Sequence, residues 1–95
     1  MSDLSGPMPT AHVTVTVRYF AAARAAAGVE QEMVSAHAGA TVGNVLAAIT
    51  AAHDAELARV LVRCSYLLDA VAVHGPETPV GDESVLDVLP PFAGG

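Results

Sequence analysis

The stretch HVTVTVRYFAAARAAAG, residues 12–28, changes its period half-way along. Its first eight residues alternate strictly, with Val13, Val15, Val17 and Tyr19 on one side and Thr14, Thr16 and Arg18 on the other. β-Branched residues in a two-residue period predict a half-buried strand. From Phe20 the alternation stops and alanine takes over, which favours helix. Gly28 then supplies the residue that most readily adopts the left-handed conformation closing a helix. A strand running straight into a short helix therefore opens the folded part of the chain.

Working outward, VEQEMVS (29–35) reads as a weaker, polar strand near a sheet edge, placed to pair antiparallel with the first. ATVGNVLAAITAAHD (40–54) is the strongest helix. Thr41 is its candidate cap, and Val42, Val45, Leu46, Ile49 and Ala52 form one apolar stripe. DAELARVLV (54–62) adds a further helical piece with Leu57, Val60 and Leu61 on its stripe. YLLDAVAV (66–73) reads as one buried strand ended by His74-Gly75-Pro76, and ESVLDVL (83–89) as a last strand stopped by Pro90. The order β, α, β, α, α, β, β predicts an α+β domain of β-grasp, ubiquitin-like type. In it a mixed sheet packs on the central helix, with the first and last strands parallel in the middle. One domain is expected over residues 12–95, behind a short disordered leader at 1–11.

Composition narrows the function. The chain has 95 residues and is 53% hydrophobic, but 19 of them are alanine, so packing mass comes mainly from Val, Leu and Ile. Ten acids against four arginines give a net charge of −6, which disfavours nucleic acid and anionic membranes and suits a basic partner or plain solubility. No apolar run reaches the roughly 18–20 residues of a membrane span. MSDLSGPMPTA lacks the basic and apolar regions of a signal peptide, so a cytoplasmic address is expected. Cys64 is the single cysteine and is expected to be buried and structural. His12, His37, His53 and His74 have no metal-ligand spacing, and Asp82, Glu83 and Asp87 read as turn and solvent-face acids.

The remaining unusual stretch is LPPFAGG, residues 89–95. Pro90 and Pro91 cannot donate to a sheet ladder, and each pushes the residue before it toward extended backbone. The chain must leave the sheet there, and Pro91 to Gly95 can reach about 16 Å when extended. Phe92 is suited to anchor the tail in a partner's channel. Ala93 is small, and Gly94 and Gly95 lack Cβ atoms, so a narrow tunnel admits them. A C-terminal carboxylate, with a pKa of about 3.3–3.7, is inert at neutral pH until activated, most simply as an acyl-adenylate made from ATP. A sulfur nucleophile would then give a thiocarboxylate, and an amine an isopeptide.

VLPPFAGG, together with VTVTVRYFAAARAAAG, TVGNVLAAI and LLDAVAVHG, resembles the MoaD/ThiS family of ubiquitin-like sulfur carriers, on the side of the molybdopterin synthase small subunits (the MoaD type). The resemblance covers about residues 12–95. It departs at His74, where the family commonly has Asn, and before the last strand, where GDESVLDV is longer than the usual tight turn. It implies a carrier that binds no cofactor itself. An E1-like enzyme of MoeB/ThiF type would adenylate Gly95 with ATP, and a rhodanese or cysteine desulfurase would supply sulfur. The large subunit of molybdopterin synthase (MoaE type) would receive the tail and pass its sulfur to a pterin precursor of the molybdenum cofactor. By the same resemblance Phe20, Leu68, Leu89 and Arg24 are partner-interface candidates, each weighed against ordinary packing or, for Arg24, a solvated helix charge. Catalytic groups would lie in the partners. The same tail permits sulfur transfer for thiamine or cysteine synthesis, or a protein modifier joined to lysines through Gly95. The absence of lysine fits compositional bias, or a chain whose own end becomes acylating.

Overall fold

A computed structural model describes residues 11–91. The leader expected at 1–11 lies outside them except for Ala11, and so do the tail positions Phe92, Ala93, Gly94 and Gly95. The elements are β1 (His12–Tyr19), α1 (Ala21–Ala27), β2 (Gln31–His37), α2 (Val42–Ala52), α3 (Ala55–Leu61), β3 (Ser65–Leu68), β4 (Val71–Ala72) and β5 (Ser84–Leu89). They form a five-stranded mixed sheet in the order β2-β1-β5-β3-β4. The fold is the ubiquitin-like β-grasp, with β1 parallel to β5 at its centre and antiparallel to the edge strand β2.

The two-residue period of β1 does what it predicts. Val15, Val17 and Tyr19 are buried beneath the helices together with Leu86 and Val88 of β5. Against them pack Val42, Val45 and Ile49 of α2 and Leu57 and Leu61 of α3. Each such side chain contributes about 1.5–3 kcal/mol by leaving water. Ala23, fully buried, lets α1 lie close to α3. Ala52 was expected on the α2 stripe but is exposed in its last turn.

The helix ends are built as the sequence implies. Gly28 closes α1 at φ 79°, where a side chain would be strained. Thr41 caps α2 in a reciprocal box: its hydroxyl accepts from Asn44 N (3.2 Å), and Asn44 Oδ1 accepts from Thr41 N (2.9 Å). The next two orphan amides of α2 donate to a loop, Val42 to Thr78 O and Gly43 to Pro76 O, both at 2.8 Å. Gly43 is needed for that approach, since a Cβ there would stand 3.1 Å from Pro76 Cβ.

Residues 66–73 are not one buried strand. The chain reverses at Asp69 and Ala70, both at positive φ (49° and 70°), so β3 and β4 form a hairpin with Val71 and Ala72 exposed. Asp69 holds the turn by accepting from Val85 N at 2.9 Å. The extra length before β5 is absorbed in another turn, where Glu83 takes φ 64° and the Ser84 hydroxyl accepts from Gly81 N (3.0 Å).

Two tyrosines tie helices to sheet. Tyr19 donates to Glu32, whose same oxygen meets His53 Nε2 at 2.6 Å. Tyr66 donates to Leu61 O at 2.7 Å. Burial, reinforced by the Cys64 charge, pushes the Tyr66 hydroxyl up to about 12. Burial and then Glu32 raise Tyr19 further. An unfolded tyrosine ionises near pH 10. Both raised groups therefore stabilise the fold fully below about pH 10; the Tyr66 contribution is lost as pH rises toward about 12, and that of Tyr19 at higher pH still. A melting series should show this decline, and Tyr66→Phe should flatten it; an unchanged slope in that variant would exclude Tyr66 as a source.

Candidate functional site at the root of the tail

Because β1 and β5 are parallel and Tyr19 pairs with Val88, the end of β1 and the exit of β5 stand side by side. Phe20 N donates to Val88 O (3.2 Å), and the chain then turns into α1 through Ala21 at φ 50°. A non-glycine residue at positive φ is strained by its Cβ, so the surrounding structure must hold Ala21 there. The turn leaves Phe20 39% exposed beside Leu89 and the half-buried Pro90, with Pro91 exposed beyond. An apolar groove of about 570 Å³ follows, lined by Phe20, Ala21, Ala22, Ser65, Leu89, Pro90 and Pro91. A second, equally large groove lies on the helix side of the same prolines, between Ala22 and the end of α3.

The sheet face turned away from the helices carries a feature the sequence does not announce. Asp87, expected at the solvent face, is buried; its side chain is 12% exposed. Its carboxylate is clasped by Arg18, Nε to Oδ1 at 2.6 Å and Nη2 to Oδ2 at 2.9 Å. The pairing raises the arginine pKa, first through the hydrogen bond and then through the Asp87 charge. The guanidinium also lies 5.8 Å from the centre of the Phe20 ring. Arg18 is thus held by a fork and by the face of the Phe20 ring at the rim of the apolar patch.

Of the interface candidates, the structure brings Phe20 and Leu89 together with Pro90 and Pro91. Leu68 belongs elsewhere: it pairs with Leu86 and packs against the buried core, while Leu67, opposite Asp87, has the outward register. Arg24 is an exposed helix charge paired with Glu30 at 2.9 Å. Cys64 is partly buried, its thiol donating to Val60 O (3.3 Å) and its pKa raised by burial. Among the described residues no three His, Cys, Asp or Glu side chains gather where they could hold a metal ion. Among them, too, no helix is long and apolar enough to cross a membrane.

The model of the ThiS family matches residues 17–95, from the middle of β1 through the Gly-Gly end. The chain belongs to the ThiS family. Solved structures agree with it. Small archaeal modifier protein 1 from Methanosarcina acetivorans is similar at 27% identity, covering 88% of this chain and 98% of its own, with a TM-score of 0.74. A complex of subunits 1 and 2 of molybdopterin-converting factor from Helicobacter pylori matches at 26% identity, over 87% of this chain and 100% of that one, with a TM-score of 0.65. Urm1 from Trypanosoma brucei, at 12% identity, shares the fold over 88% of this chain and 97% of its own, with a TM-score of 0.69. No curated protein sequence matches. This ThiS-family chain is therefore a ubiquitin-like member of a group of sulfur carriers and modifiers, and its two apolar grooves meet at Pro90 and Pro91.

Proposed function

We propose that the chain is a sulfur carrier acting as the small subunit of a molybdopterin synthase. The observation that carries this reading is the parallel pairing of β1 with β5, which delivers the Pro90-Pro91 exit beside an apolar patch built from Phe20 and Leu89. A patch at the root gives a partner something to grip while the following residues enter its active site. The Gly95 carboxylate would attack the α-phosphorus of ATP on an E1-like enzyme, releasing pyrophosphate. A donor persulfide would displace AMP, and a second thiol would cleave the resulting acyl disulfide, leaving the thiocarboxylate on Gly95. A large subunit would then take the tail, as the Helicobacter pylori neighbour's pairing with a second subunit supports.

Intact mass after incubation with the activating enzyme, ATP and a sulfur source tests the carrier step. One oxygen-to-sulfur exchange on Gly95 is expected, and addition of the large subunit and the pterin precursor should then consume it. A second reading, supported by similarity to the archaeal modifier protein, is conjugation through Gly95 to amines. The chain has no lysine, so lysine adducts would form only on other proteins. Adducts without any sulfur exchange would favour that reading. Sulfur loading that a thiazole or cysteine pathway consumes, but the pterin precursor does not, would move the carrier to those products.

A further inference from the structure

We infer that the groove on the helix side of the tail's root is a second docking surface, filled by an acidic loop with an apolar anchor from the partner that receives the tail. The inference rests on the tail-insertion reading above and adds the chemistry of what closes over the root. Ala22, Val60, Val62, Pro90 and Pro91 make its lining mostly apolar, and Arg59 and Arg63 complete it. Val62 is 85% exposed, the highest value among the large apolar side chains of the described residues.

Two arguments fix the occupant. The first is steric. Pro90 and Pro91 border both grooves, so a protein that encloses the residues after Pro91 comes to lie against the α3 side as well as the Phe20 side. The second is charge. The chain carries −6 and owns only four cationic side chains besides histidine, yet two of them border this one groove. Arg59 shares an exposed contact with Glu56 (2.7 Å) that a partner carboxylate can replace at little cost. Arg63 has no carboxylate partner among the described residues. Asp69, Asp82 and Glu83, by contrast, cluster at the start of β5, the far end of the sheet, with no cationic partner among the described residues. The molecule is polarised along its strands, and a partner loop bearing carboxylates is drawn to the root and repelled from the other end.

The test uses the full chain in two variants that leave the core alone, Arg59→Glu/Arg63→Glu and, separately, Val62→Asp. Binding to the activating enzyme and to the large synthase subunit of the same organism is measured at low and high salt, with melting curves as a folding control. The large subunit should bind each variant about tenfold or more weakly, at unchanged melting temperature. The charge variant should also lose most of the salt dependence of the native chain. Native affinity of both variants for the large subunit overturns the inference, whatever happens to binding of the activating enzyme. So does a self-association of the native chain that Val62→Asp abolishes, since the occupant is then a second copy. Removal of residues 92–95 that shifts the backbone amide signals of residues 60–63 in the free protein overturns it too, because the chain's own tail then fills the groove. If the native chain loads sulfur and binds while the variants bind equally well, only this inference falls. If the native chain neither binds nor loads, the functional reading falls and takes the groove with it.

Discussion

Removal of Gly95 will leave a folded chain that takes up no sulfur. The described domain closes at Pro91, and the deleted residue is four positions further on, so melting should not change. Activation depends on where the last carbonyl carbon sits. Shortening the chain withdraws it by about 3.3–3.6 Å from the nucleotide phosphate it would meet on the proposed reading. Displacement of a reacting group by as little as 1 Å can cost roughly a hundredfold in rate. Gly94 then offers a chemically equivalent carboxylate in the wrong place, and both adenylation and the oxygen-to-sulfur exchange should fall below detection. Adding one alanine after Gly95 should fail equally, by overshooting and by placing a methyl group in the narrow passage. Intact mass of the three chains under identical loading conditions decides the matter. Sulfur uptake by the shortened chain at the native rate would show that the terminal residue is not the carrier.

Leu86→Ala should be the most damaging single change to stability. Leu86 is fully buried, pairing across the centre of the sheet with Val17 on one side and Leu68 on the other. Its loss opens a cavity in the fully buried core where β1, β3 and β5 all meet. The expected cost is about 3–4 kcal/mol. A domain of this length has about 5–14 kcal/mol in total. Urea unfolding should show a midpoint lowered by about a fifth or more at unchanged slope. Leu89→Ala provides the contrast. That side chain lies on the opposite face of β5, partly exposed beside Phe20. Its truncation should cost less than half as much stability while weakening partner binding. Equal destabilisation by the two changes would refute the assignment of faces on β5.

The parts of the fold that were legible in the sequence are those whose cause is local. Alternation in residues 12–19, the left-handed Gly28, the Thr41 cap and the Pro90 stop each act within a few residues of themselves. The hairpin at Asp69-Ala70 was hidden because alanine is a poor marker of positive φ, so YLLDAVAV reads through without a break. The Arg18–Asp87 clasp was hidden because its partners are 69 residues apart and only the parallel register brings them opposite one another. Leu68 and Leu67 show the same limit: which of two adjacent leucines faces the helices is decided by pairing with β5, not by composition. At the root of the tail, Phe20 and Leu89 were recognisable, whereas the helix-side groove depends on where α3 ends against Pro90 and Pro91.

The central parallel pair also sets a clock on the protein's own synthesis. Of the described elements β1 is made first and β5 last, and the sheet has no centre until both exist. Closing so long a loop before its contacts can form makes assembly slow and late. Phe20 and Arg18, although translated early, acquire Leu89 and Asp87 as neighbours only at that final step. A nascent or truncated chain therefore lacks the finished surface at the root of the tail, and on the proposed reading an activating enzyme would spend ATP only on molecules that have already folded.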